Sequence, residues 1–165
     1  MANQIQIEMK TRINNAKNED PDFAAGRKTA FIAVTAMLLT RVLLIAAEIP
    51  ASVVNGLPFS MLQIVMLGMS LMFANLIYNG FKVFAILALM GGIWSAATAF
   101  GSEVIFAVFT YGNIFTTIYG ILFILAIIMT ILPMSYLLLN PKYKNYAKRI
   151  NEIRKTVSEE QKKSK

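Results

Sequence analysis

The residues with the clearest chemical potential in this sequence are two opposite charges set inside a long apolar run. Arg41 and Glu48 both lie in the segment TAMLLTRVLLIAAEIP. They are seven residues apart, a distance over which a helix turns through about 700°. The two side chains therefore share a face, about 10.5 Å apart along the axis. An arginine at membrane depth costs roughly 2.5–3.5 kcal/mol on insertion scales, and it is normally paired, hydrated or turned toward the bundle interior. The spacing therefore predicts one polar stripe on an apolar helix.

Three further polar residues are expected near this stripe, at the outer side of the membrane. They are Gln63, Glu103 and Asn113. Arg41 with Gln63 would suit an anionic or hydrogen-bonding ligand, whereas Glu48 with Glu103 would suit a cation or a proton. The alternative is that Arg41 extends its charge to the outer head groups while Glu48 sits in the interface. Both interpretations are open on the sequence alone.

The elements that must position these residues are apolar runs, in a chain that is 56% hydrophobic with a mean hydropathy of +0.57. A helix of about 20 apolar residues crosses a hydrocarbon core of about 30 Å. The apolar run 104–139 would be about 54 Å long as one helix, so we predict a break at Gly112-Asn113. Residues 103–112 would then form an outer interfacial or re-entrant segment. The predicted fold is an all-α integral membrane protein, a bundle with spans at 29–50, 57–78, 81–99 and 113–137.

The positive charges predict how this bundle is oriented. Of sixteen Lys and Arg residues, all but Arg41 and Lys82 lie in the two tails, residues 1–28 and 140–165. Basic residues near the ends of spans stay in the cytoplasm, so we expect a multi-pass protein of the cell membrane with both termini inside. The net charge of +7 then suits contact with anionic lipid head groups, and we expect no binding to nucleic acid.

Composition excludes several kinds of chemistry. The chain has no cysteine and no histidine, so thiolate catalysis, disulfides and the commonest metal ligand are absent. Met66, Met69 and Met72 share a helix and could suggest Cu(I), but scattered methionines more often fill packing gaps. We expect no enzyme activity, no metal and no cofactor.

Two packing patterns add detail. Small residues recur every four positions in the third span, at Ala88, Gly92 and Ala96, and allow close helix approach, within the chain or between subunits. Asp20-Pro21 and Asn140-Pro141 are each typical of a helix start, at the first membrane helix and at the C-terminal tail, and this tail carries an apolar seam. In a parallel homodimer Arg149 and Arg154 would repel one another, so the seam favours anionic lipid or an acidic partner helix. The residues predicted to bind lipid or a partner are Tyr146, Arg149, Ile150, Ile153 and Arg154.

Two classes of function fit these features. The first is a non-enzymatic protein that acts through protein–protein interaction, as an accessory or regulatory subunit of a membrane complex or as a membrane immunity-type protein. The second is a small transporter or channel that would need to form a homo-oligomer to enclose a pathway. The first is favoured because few polar residues lie at mid-membrane depth. The richness in Lys, Ile and Asn is compatible with an AT-rich bacterial genome.

Overall fold

The computed structural model describes residues 2–101, 108–110 and 112–163, and its long elements are all α-helices. Four of the helices, α2 to α5, are long and apolar enough to cross a membrane, which confirms the all-helical, four-span expectation at that level. The helices are α1 (Ala2–Glu19), α2 (Pro21–Val54), α3 (Met61–Tyr78), α4 (Lys82–Gly101), α5 (Ile114–Leu139) and α6 (Pro141–Lys163).

Helix α2 begins where the sequence predicts a start signal. The Asp20 Oδ1 atom accepts the backbone N–H groups of Asp22 and Phe23 at 2.9 and 3.1 Å, and Pro21 occupies the first helical position. The helix has 34 residues and so is about 51 Å long, well beyond a hydrocarbon core of about 30 Å. Its first two turns, which precede the predicted span, are therefore available to pack against the tails.

Helices α2 to α5 form a ring in which each packs against its two neighbours. The α2–α5 contact is the most extensive and the α3–α4 contact the least, while the diagonal pairs barely touch. Helices α1 and α6 pack on one end of α2, beside the turn between α3 and α4. We call this the tail end of the bundle. The opposite end, which holds the loop 55–60 and the start of α5, is called the far end.

The main hydrophobic core lies at the tail end. Phe23 and Met37 of α2, Ile77 of α3, Met134 of α5 and Tyr146 of α6 belong to one continuous cluster of buried side chains. Close packing extends between α4 and α5, because a Cβ added at Gly92 would lie 3.0 Å from Ile131 Cγ1. Gly92 therefore serves packing within the chain, and Ala88 is buried in the same cluster, while Ala96 is half-buried.

The predicted break before the last long helix is confirmed. Asn113 caps α5, since its Oδ1 atom accepts the N–H groups of Phe115 and Thr116 at 3.1 and 3.0 Å. Val108 packs against α5 two turns further on, because a Cβ added at Gly120 would lie 2.7 Å from Val108 Cγ1. Glu103 lies outside the described residues, and the interfacial or re-entrant placement of 103–112 stays a prediction.

Candidate functional site

Glu48 is the carboxylate that α2 carries into the far end of the bundle. Glu48 is only 9% exposed, and its Oε1 atom accepts the backbone N–H of Ser60 at 3.2 Å. Ser60 precedes the first residue of α3 and makes no capping bond with its own side chain. Glu48 therefore connects α2 to the start of α3 through one oxygen atom.

The second oxygen of Glu48 and one nitrogen of Arg41 are buried without a hydrogen-bond partner. Within the part of the chain that the structure describes, Glu48 Oε2 and Arg41 Nε are the buried side-chain atoms in this condition. Arg41 and Glu48 also form no ion pair with each other. An unsatisfied buried polar atom costs about 1–3 kcal/mol, and more when charged, so such atoms in a folded protein call for a physical explanation.

Gln63 and Tyr119 complete this layer from the two neighbouring helices. The Gln63 Nε2 atom donates to Tyr119 Oη at 3.1 Å, which links α3 to α5. Tyr119 lies close enough to Arg41 and Glu48 to interact electrostatically with both. We call Arg41, Glu48, Gln63 and Tyr119 the charged layer. Three of its four members were predicted from the sequence, and the structure brings them together around Tyr119.

A second layer, made of two amides and one hydroxyl, lies closer to the far end, and its members are hydrogen-bonded to one another. Asn113 Nδ2 donates to Asn55 Oδ1 at 3.0 Å, and Asn55 Nδ2 donates to Thr116 Oγ1 at 3.0 Å. Thr116 Oγ1 in turn donates to Asn113 Oδ1 at 3.1 Å. These bonds join the end of α2 to the start of α5. Asn113 was predicted to close the cluster with Arg41, Glu48 and Gln63, and that role stays a prediction, because its side chain bonds to Asn55 and Thr116 instead.

Three members of the two layers were missed by sequence reasoning, namely Tyr119, Asn55 and Thr116. A signal for two of them exists, because Asn113, Thr116 and Tyr119 recur every three residues and so lie near one face of α5. Asn55 carries no comparable pattern, since it follows the last residue of α2 as an ordinary helix-ending residue.

Toward the tail end, polar contacts between helices give way to packed apolar side chains. Thr40 Oγ1 donates to the carbonyls of Ala36 and Met37 on its own helix, and Thr130 Oγ1 donates to Ala126 O on its own helix. Below them Met37 and Met134 are buried in the core. Among the described residues, no polar route therefore continues from the charged layer through the bundle.

The charged layer presents one hydrogen-bond donor and one acceptor that have no partner among the described residues. Arg41 Nε can donate to an acceptor, and Glu48 Oε2 can accept from a donor, so a group presenting both would satisfy the two atoms. The described residues contain no group of three or more His, Cys, Asp or Glu side chains that could hold a metal ion. The arrangement therefore suits recognition of a polar or charged group.

The apolar residues predicted as a lipid- or partner-binding tail face the protein's own helices. Tyr146 and Ile150 are buried, and Ile153 packs against the same core. The ring of Tyr146 lies 4.9 Å from that of Phe23, and a Cβ added at Gly26 would lie 2.7 Å from Tyr146 Cβ. Lipid or partner binding through this seam stays a prediction, and it would require α6 to leave α2.

The polar residues of α6 hold the end of α3. Tyr143 Oη donates to Ile77 O at 3.2 Å, Tyr146 Oη donates to Tyr78 O, and Arg154 Nη2 donates to Asn79 O at 2.7 Å. Tyr146 and Arg154 thus satisfy carbonyls that the end of a helix leaves without partners, and Tyr143 adds a second donor to the Ile77 carbonyl, which also accepts the Gly80 N–H at 2.9 Å. Arg149 of the predicted set is exposed and pairs with Glu152 at 3.5 Å.

This burial perturbs the ionisation of the same groups. It raises the pKa of the Tyr143 hydroxyl to about 12, and it raises the pKa of Tyr146 further. Desolvation lowers the pKa of the Arg154 guanidinium. Both tyrosines are therefore neutral hydrogen-bond donors at physiological pH.

Comparison with known proteins gives no further assignment, because the chain matches no protein-family model, no curated protein and no solved structure.

Proposed function

We propose that this chain is a non-enzymatic multi-pass membrane protein, with both tails in the cytoplasm, that acts by binding another membrane protein. It would serve as an accessory or regulatory subunit of a membrane complex, or as a membrane immunity-type protein. The observation that carries the proposal is the charged layer, where Arg41 Nε and Glu48 Oε2 are buried without partners in the described part of the chain.

Membrane energetics support a partner for these atoms. A cation within the hydrocarbon region is costly unless it is paired or hydrated, and hydrogen bonds between helices contribute to their association in lipid. A partner helix that presents a carboxylate, amide or carbonyl group beside Arg41 would satisfy the guanidinium. A hydroxyl or amide donor on the same helix would satisfy Glu48. Both groups belong to α2, and because both atoms are buried, one partner segment would reach them by displacing the side chains that cover them.

Helix α3 provides room for such a segment. Only Ala74 and Ile77 of this helix are buried, and both lie near the tail end. A Cβ added at Gly68 would meet no atom within 4 Å, so the middle of α3 is open on that side. Gln63 lies on the same helix and contributes to the charged layer. A partner helix packed at Gly68 would therefore contact the helix that contributes Gln63, about 140° around its axis from that residue.

The transport alternative receives less support. A pathway through the bundle needs polar groups from one end to the other, whereas Thr40 and Thr130 bond to their own helices and the buried Met37 and Met134 follow. A homo-oligomer could enclose a pathway between subunits, and the experiment below distinguishes it from a different partner.

The experiment is affinity purification from native membranes in a mild detergent, with three variants compared at equal membrane level. Arg41→Leu and Glu48→Gln should each reduce copurification of the same protein, by about tenfold or more for Arg41, since loss of one buried charged partner costs several kcal/mol. Thr40→Val is the matched control, because its hydroxyl bonds only within α2. It should copurify the partner as the unmodified chain does.

Two results would contradict the proposal. One is the recovery of a homo-oligomer alone, with no second protein, which would favour the transporter. The other is equal recovery of a second protein with all variants, which would mean that the charged layer does not bind it.

A further inference from the structure

A cleft lined by lysines lies at the tail end, between α6 and the turn that joins α3 to α4. Its volume is about 510 Å³. Phe81, Lys82 and Val83 form one wall. Lys148, Asn151 and Lys155 form the other, and their three- and four-residue spacing puts them on one face of α6. We call this cavity the lysine cleft.

The cleft carries an excess of positive charge. Among the described residues, Lys82, Lys148 and Lys155 form no ion pair. Glu152 also lines the cleft, but it is paired with Arg149 at 3.5 Å. A second basic cleft of about 610 Å³ contains Lys142, which is already paired with Asp22 at 3.5 Å. The lysine cleft is therefore the stronger candidate for an anion.

The walls of the lysine cleft are held in place by contacts outside it. Arg154 lies over the ring of Phe81, with Cζ 4.3 Å from the ring centroid, and donates to Asn79 O. Gly80 has a φ of +83° and lies close to α6, since a Cβ there would be 3.2 Å from Ala147 Cα. Only glycine adopts such a positive φ with little backbone strain. These contacts keep the two walls at a fixed separation.

The position of the cleft matches the head-group level of a bilayer. Lys82 is the first residue of an apolar helix long enough to span, and α6 lies across the adjoining end of α3. From the cleft an exposed apolar stripe continues along α4 through Val83, Ile86, Leu87 and Met90. A charged site that opens onto an apolar stripe fits a molecule with an anionic head and a hydrocarbon tail.

From this geometry we infer that the lysine cleft binds an anionic phospholipid. The phosphate lies between Lys82, Lys148 and Lys155, and Asn151 donates or accepts a further hydrogen bond. One acyl chain follows the apolar stripe of α4. The inference depends on the membrane placement in the proposed function, but it does not depend on the charged layer or on any protein partner.

The test is lipid binding by the full-length protein purified in a neutral detergent. Phosphatidylglycerol and phosphatidylcholine with the same acyl chains are added, and bound lipid is counted by native mass spectrometry. The unmodified protein should prefer phosphatidylglycerol by about tenfold or more, because each cation near an anionic surface strengthens binding several-fold. The preference should weaken as salt rises.

A charge-matched pair of variants tests the site itself. The triple variant Lys82→Gln, Lys148→Gln and Lys155→Gln should lose the preference. The control triple Lys10→Gln, Lys17→Gln and Lys144→Gln removes the same charge from residues that are exposed outside the cleft. It should keep the preference.

Three outcomes would overturn the inference. Equal loss in both triples would mean non-specific attraction to net charge. An absence of preference in the unmodified protein would mean that the cleft does not select an anion. Displacement of the lipid by millimolar inorganic phosphate or glycerol phosphate would identify a site for a free phosphate. Because the readout is lipid alone, the absence of a copurifying protein would leave this inference standing.

Discussion

The two ends of the bundle differ in whether their buried polar side chains have hydrogen-bond partners. At the tail end, Tyr143, Tyr146 and Arg154 each donate to a carbonyl near the end of α3, and Arg27 Nε donates to Tyr78 Oη at 2.7 Å. At the far end lie the two buried side-chain atoms that have no partner among the described residues. They belong to opposite charges on one helix.

The contrast indicates a division of labour. Satisfied polar networks in a low-dielectric interior stabilise one arrangement, whereas half-satisfied ones cost stability. Local rules of this kind are most often broken at functional sites, where the cost is compensated elsewhere. On the proposed function, the tail end holds the architecture, and the far end would provide groups for binding. This difference can be tested by substitutions at each end.

The largest effect is expected from the double variant Tyr143→Phe and Tyr146→Phe. It removes the donor to the Tyr78 carbonyl, at about 1–3 kcal/mol, and one of the two donors to the Ile77 carbonyl, which still accepts the Gly80 N–H, at about 1 kcal/mol. We expect a clear fall in the thermal unfolding temperature in detergent. Tyr136→Phe is the control, because Tyr136 is 62% exposed, and it should change little. Equal unfolding temperatures for the two variants would contradict the account of the tail end.

A somewhat smaller effect is expected from Gly26→Val, which tests how closely α2 and α6 pack. A Cβ at Gly26 would overlap the Lys142 carbonyl oxygen, so the helices must separate, at about 1–3 kcal/mol. Trypsin should then cut α6 faster. The control is Gly91→Val in α4, where a Cβ would meet nothing within 4 Å. If both variants are cut at the same rate, α6 is not held by this contact.

The smallest effect concerns alkaline pH. The Tyr143 pKa of about 12 lies above its ordinary value of 10.0, so the folded protein keeps this proton after the unfolded chain has lost it. Its contribution to stability is full below pH 10 and is lost as pH rises toward 12, by on the order of 1–2 kcal/mol. Unfolding free energy measured from pH 9 to 12 should fall less steeply for Tyr143→Phe. If the unfolding free energy falls with pH at the same slope in both proteins, ionisation of Tyr143 is not the cause of the loss.

Local signals in the sequence predicted much of the fold. Asp20-Pro21 and Gly112-Asn113 combine capping side chains with residues that favour helix ends, and both act where expected. Hydropathy predicted the four long helices because their composition differs sharply from the tails. Arg41 and Glu48 could be assigned to one face because a single helix sets their spacing.

Contacts between distant segments could not be predicted in this way. The place of Tyr119 beside Gln63 depends on how α3 and α5 each pack on α2, which no local pattern specifies. The periodicity of α6 predicted an apolar seam correctly but not what covers it. The covering surface is the first part of α2, which extends beyond the predicted span and places Phe23 against Tyr146.

The most direct test of this division is to measure stability and partner binding together in Arg41→Leu. The account predicts that the unfolding temperature stays equal or rises, because an unpaired buried nitrogen is removed, while copurification of the partner is lost. The fall in unfolding temperature of the double variant Tyr143→Phe and Tyr146→Phe serves as the reference for the loss of structural contacts. If Arg41→Leu lowers the unfolding temperature as much as that variant does, the far end is structural and the central claim is wrong.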